Sequence, residues 1–106
     1  MVAMRKIDAV CRRIAREFKP ERIVLFGSHA TGHPTADSDV DLLVVLPHKG
    51  KAVEKSVEIR LKVRPPFPVD MLVRKPEEIR RRLAMGDTFI RDVLENGKVL
   101  YEADDR

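Results

Sequence analysis

One cysteine, Cys11, stands in a chain of 106 residues. A lone thiol excludes an internal disulfide framework and leaves no basis for a thiolate metal site. Aromatic residues are scarce: four Phe, one Tyr and no Trp. Tyr101 is the one aromatic that is not Phe, so an extended stacking platform of the kind single-strand nucleic-acid binders use is not expected. Long apolar runs are missing too. The longest, Leu42 to Leu46, is far too short to span a bilayer. The opening MVAMRKIDAVCRR is amphipathic and lacks the apolar block and small-residue cleavage site of a secretory signal. A cytoplasmic protein with no membrane association is expected. There is no Gln, and Asn96 is the single Asn, a bias shared with thermophilic proteins. No repeat, low-complexity segment or linker divides the chain, and its length suits one domain over residues 1–106.

What remains is a chain that is 43% hydrophobic and 36% charged, the balance of a folded, soluble protein. The net charge of +4 suits an anionic partner, but the basic residues are scattered over helix faces. Arg80, Arg81 and Arg82 are expected on a solvated helix face, and direct nucleic-acid binding is not expected.

Periodicity orders the elements. Ile7, Val10, Cys11, Ile14, Ala15 and Phe18 mark one face of a first helix, which Lys19-Pro20 ends. RIVLFG is a buried strand closing at Gly27, SHATG one helical turn, and DVDLLVVL a second strand stopped by Pro47. Residues 49–64 are ambiguous. Val57 to Val63 alternate as a strand would, yet Ala52, Val53, Ser56, Val57 and Leu61 fit a helix. The helix is preferred because no hairpin turn follows Val45-Leu46. VDMLVR is a third strand. Pro76 opens a helix with Glu77-Glu78 at its positive end and Ile79 and Leu83 inside. Gly86-Asp87-Thr88 caps a last helix with Phe89, Ile90, Val93 and Leu94 inside; Asn96-Gly97 ends it, and VLYE is a short final strand. The sum is an α/β (α+β) domain: a small mixed sheet of three to four strands with helices packed on it.

The chemistry concentrates in VLFGSHATGHPTADSDVDLLVVL, Val24 to Leu46. Residues two apart on a strand share a face, so Asp39 and Asp41 project together while Val40 enters the core. Two carboxylates that close repel, and a divalent cation with hard-oxygen preference offsets the repulsion. Asp70 lies between Val69 and Met71 in the third strand. If that strand neighbours the second, Asp70 joins as a third carboxylate, a metal ligand or a base for an attacking hydroxyl. Two ions about 3.5–4 Å apart are the usual arrangement of such sites. Gly27 lets backbone approach a ligand, and Ser28 adds a hydroxyl at a helix start that favours phosphate. Ser28 has no visible His/Asp relay, so a hydrolase nucleophile is not expected. His29, His33 and His48 lie in separate loops without an i,i+4 partner and are expected at the surface, although His29 beside Ser28 stands where it would touch a nucleotide.

The ordered set GSHATG…SDVDLLV…PVDML resembles the minimal nucleotidyltransferases of the DNA polymerase β-like superfamily. The resemblance covers the chain in length and order. It implies a polymerase β palm-like fold, with Gly27 and Ser28 as the phosphate-binding turn and Ser38 joining them at the nucleotide. Asp39, Asp41 and Asp70 would be the catalytic, metal-binding carboxylates. It implies two Mg²⁺ ions, ATP as substrate, and transfer of AMP to a hydroxyl with release of pyrophosphate. His29 departs from the Arg found in many members. Larger relatives append an acceptor-binding domain, so a partner chain is expected here. The resemblance implies a HEPN RNase toxin, adenylylated on a tyrosine by an MntA-type antitoxin. Two alternatives stay open: a binding module that neutralises its partner by contact alone, and nucleotidylation of a small molecule such as an aminoglycoside, disfavoured because no acceptor domain is visible.

Overall fold

The computed structural model describes residues 2–104. The chain runs α1 (Met4–Phe18), β1 (Arg22–Phe26), α2 (Ser28–Thr31), β2 (Val40–Val45), α3 (Ala52–Val63), β3 (Val69–Arg74), α4 (Pro76–Ala84), α5 (Thr88–Asn96) and β4 (Lys98–Glu102). Helix α1 buries Ile7, Val10, Cys11 and Ile14 and stops where Lys19 turns left-handed. Burial pushes the Cys11 thiol up to about 12, with Asp8 adding to it, so the group is an inert core side chain.

The four strands form one mixed sheet in the order β3-β2-β1-β4. Strand β1 is antiparallel to both β2 and β4, whereas β2 and β3 are parallel. Helix α3 makes the crossover that a parallel pair requires. Side-chain alternation then splits the core in two. Ile23, Leu25, Val40, Leu42, Val44, Met71 and Val73 meet α1 and α3 on one face. Val24, Leu43 and Val45 meet Ile79, Ile90 and Val93 of α4 and α5 on the other. Since β2 is apolar toward both faces, it is the buried strand that its unbroken LLVV run implies.

Residues 52–63 are helical, as preferred from the sequence, but the inward face differs from the expected one. Ile59 and Val63 are buried, whereas Val53, Val57 and Leu61 are 73%, 48% and 68% exposed. Positions 59 and 61 lie about 200° apart on a helix of 3.6 residues per turn. Apolar residues on two opposite sides of α3 therefore produced the strand-like alternation from Val57 to Val63. A second correction concerns Phe89, expected inside and found 50% exposed. It sits at the outer end of α5, where its ring meets Phe26 edge to face at 5.8 Å.

The expected cap of α5 is present. Asp87 Oδ1 accepts the Ile90 N–H at 3.0 Å, and Arg82 Nη1 donates to Oδ2 at 3.0 Å. The Ile90 N–H first, then Arg82, hold the Asp87 carboxyl below its ordinary value. A lowered carboxyl stabilises the fold above its unfolded-state pKa, and that contribution is lost as pH falls through the folded one. Asp87→Ala is therefore expected to lower the melting temperature at neutral pH, with the deficit closing in acid; thermal melts across pH check this. Gly97 ends α5 in extended backbone at φ −75°. Its lack of a side chain serves packing: a Cβ there would overlap the Val93 carbonyl oxygen and come within 2.7 Å of Val24 Cγ1 and 2.8 Å of the Leu25 carbonyl oxygen. Glycine lets α5 lie flat on β1. Among the described residues, no helix is long and apolar enough to cross a membrane.

Candidate active site

Strand register builds the site. Phe26, the last residue of β1, is opposite Asp41 of β2, and Asp41 is in turn the register partner of Asp70 of β3. Alternation from the buried Leu43 turns Asp41 to the α4–α5 face, and Leu72 does the same for Asp70. The two carboxylates thus leave adjacent strands on one face, at the end of the sheet where β1 closes at Phe26. Asp39 precedes β2, one step outside the strand, and reaches the same edge. Asp39 and Asp70 are exposed, whereas Asp41 is half-buried. Asp41 is the more covered because β2 is flanked by β1 and β3, whereas Asp70 lies on the edge strand β3 and Asp39 precedes β2.

Asp41 shows the strain of this placement. Its carboxyl is raised above the ordinary value, chiefly by burial, then by the charges of Asp70 and Asp39, with His29 acting in the opposite sense.

Gly27 closes the other side. Its φ of 74° and ψ of −156° fall in a region that side chains essentially exclude. A Cβ on Gly27 would overlap Asp41 Oδ2. The glycine is required twice, by conformation and by the carboxylate against it. From Gly27 the chain turns into α2, with the Gly27 carbonyl accepting from Ala30 N at 3.0 Å and Thr31 N at 3.2 Å. Ser28 is half-buried at the start of that turn.

Ser38 takes a different place from Ser28. Its Oγ accepts the Thr35 N–H at 2.8 Å and lies 3.1 Å from Thr35 Oγ1. The hydroxyl closes the loop that delivers Asp39. His29 requires a correction: it is 8% exposed, not a surface residue. Its Nε2 accepts the Val2 N–H at 3.3 Å, and its Nδ1 is buried with no hydrogen-bond partner among the described residues. Helix α2 packs against β1 and β2, and that packing turns His29 inward. His33 is exposed, as expected.

A family model described as "Nucleotidyltransferase domain" matches residues 7–100. The chain belongs to this nucleotidyltransferase family. The match spans every element from α1 into β4, so the three carboxylates and the Gly27 turn all lie within it. Two solved structures have the same architecture. One is a candidate nucleotidyltransferase from Sulfolobus solfataricus, 20% identical, with a TM-score of 0.65 over 93% of this chain and 79% of that one. The other is a toxin–antitoxin protein solved with AMP-PNP, 19% identical, with a TM-score of 0.59 over 92% of this chain and 74% of that one. No curated protein is significantly similar in sequence.

The donor chemistry of this nucleotidyltransferase domain suits a hard divalent cation: three carboxylates, no thiolate, and a carboxyl at Asp41 destabilised by its neighbours. Among the described residues, no three His, Cys, Asp or Glu side chains are gathered into a metal cage.

Phe26, which meets Phe89, stands opposite Asp41, a placement not expected from the sequence. Alternation alone puts Phe26 and Val24 on one face, but only register sets Phe26 against Asp41.

Proposed function

We propose that this domain moves AMP from ATP to a hydroxyl group of a protein. The acceptor is a tyrosine of a HEPN-type RNase toxin, and the domain serves as an MntA-type antitoxin. One observation carries the reading: Asp41 and Asp70 are register partners on one face, with Asp39 at the same edge and Gly27 pressed against Asp41. Family membership supports the reaction class. The neighbour described as a toxin–antitoxin protein with AMP-PNP supports the partner and the nucleotide.

In this reading Asp39 and Asp41 would hold Mg²⁺, which when bound supplies charge neutralisation for the triphosphate. Gly27 and Ser28 receive the terminal phosphates along exposed backbone, and Ser38 sets the loop that presents Asp39. The acceptor oxygen forms a bond to the α-phosphorus, the bond from that phosphorus to the bridging oxygen breaks, and pyrophosphate leaves. Asp70, the more open of the register pair, would take the hydroxyl proton in place of a ligand's role. The protein's work is positioning and electrostatics, as phosphoryl-type transfers require.

The test mixes the domain with α-labelled ATP, Mg²⁺ and the protein encoded beside it, comparing wild type with Asp39→Ala/Asp41→Ala. Label is expected on the partner with wild type only, and mass spectrometry is expected to find one AMP on a tyrosine. Equal labelling by both proteins removes these carboxylates from the reaction. A complex that forms and inhibits without labelling supports the contact-only module instead.

A further inference from the structure

We propose that the Phe26–Phe89 pair forms an aromatic wall for the nucleobase, the base stacking on the exposed Phe89 ring that Phe26 supports, an inference that rests on the nucleotide reading of the acidic site. Directly opposed residues of an antiparallel pair project to one face with Cβ atoms about 4.5–5.5 Å apart. Phe26 and Asp41 are such a pair. The aromatic ring therefore stands one strand spacing from the central carboxylate, on its own face of the sheet. Asp70 lies the same step away on the other side. Across the sheet the order is Phe26, Asp41, Asp70, and Phe89 of α5 rests against Phe26, so apolar surface lies at one end and acids at the other. A nucleoside triphosphate has the same polarity, with an aromatic base at one end and phosphates at the other.

The rings are held as a binding surface must be. Phe26 ends a strand, and Phe89 sits in the first turn of a helix whose start is pinned by Asp87. They meet edge to face, 85° between planes and 5.8 Å between centroids. Phe26 is half-buried against the α4–α5 core, and Phe89 is half-exposed. A large aromatic held half in water beside a polar site offers surface that a flat ligand ring can cover. Every base has a π-face, so this wall favours nucleotides over free polyphosphate without choosing among bases.

The absence of Trp from the chain makes the test direct. In Phe89→Trp the new indole is the sole tryptophan, so its fluorescence reports the wall alone. Its emission is expected to change on titration with Mg-ATP and to stay constant with Mg-tripolyphosphate. Phe89→Ala is expected to weaken Mg-ATP binding about tenfold in calorimetry, leaving Mg-tripolyphosphate binding unchanged, with Phe89→Tyr restoring the loss. GTP and CTP are expected to lose affinity with Phe89→Ala to a similar extent. A silent indole while Mg-ATP binds normally, or equal weakening of ATP and tripolyphosphate by Phe89→Ala, overturns the aromatic wall and leaves the acidic site standing. Failure of the wild-type domain to bind either ligand overturns both.

Discussion

Replacing Asp41 by Asn is expected to raise the melting temperature and to cut nucleotidyl transfer on the order of 10³-fold. The two effects share one cause. The Asp41 carboxyl is raised by burial and by the charges of Asp70 and Asp39. The native state thus holds that proton more tightly than the unfolded chain does. Asp41 favours folding below the ordinary carboxylate pKa, and this contribution is lost as pH rises through its folded value. At pH 7 the ionised wild-type protein carries the repulsion, and Asn removes it. Solvent screening at this half-open position keeps the gain near about 0.5 kcal/mol, or a rise in Tm of roughly 2–4 °C. The comparison belongs in buffer without divalent cation, and the gap should close in acid. Added Mg²⁺ is expected to stabilise wild type by mass action and the variant much less. A variant that is less stable than wild type at pH 7 without metal would show that Asp41 is held by partners rather than opposed by neighbours. An exchange of stability for activity is what charge gathered for catalysis should produce.

Gly27→Ala is expected to have the largest effect on the fold and to abolish transfer with it. Backbone at φ 74° and ψ −156° is strained for any side chain by about 1–3 kcal/mol. In a chain of this length that lowers Tm by roughly 5–20 °C. The new methyl also overlaps Asp41 Oδ2, so the central carboxylate must leave its place. The two contributions separate in a double-mutant cycle. With Asp41→Ala in the background, the penalty of Gly27→Ala should shrink to the backbone strain alone, because the opposing oxygens are gone. Equal penalties in both backgrounds would show that the carboxylate does not press on the glycine.

The expectations that held rest on local rules. Helix α1, the buried β2, the turn after Gly27 and the Asp87 cap follow from spacing, propensity and hydrogen-bonding chemistry within a few residues. The departures arose where a residue's surroundings are set from far along the chain. Leu61 and Ile59 are equally apolar, yet only the placement of α3 between α1 and β3 decides which one meets the core. His29 is polar and follows a glycine-serine turn, a surface signature, but the packing of α2 on β1 and β2 buries it. Phe89 has the period of an inward residue on α5, yet it meets only the end of β1 at Phe26 edge to face and stays half in water.

By itself the sequence determined the types and order of the elements, including the turn that follows Gly27. These follow from backbone geometry and side-chain chemistry that act locally. Only the tertiary structure decided that β3 lies parallel to β2 with Asp70 in register with Asp41, and that Phe26 and Phe89 stand on the other side. Register is chosen by burial of the whole sheet: a one-residue slip would turn Asp41 of β2 and Asp70 of β3 into the core under α1 and α3. No single residue encodes that choice.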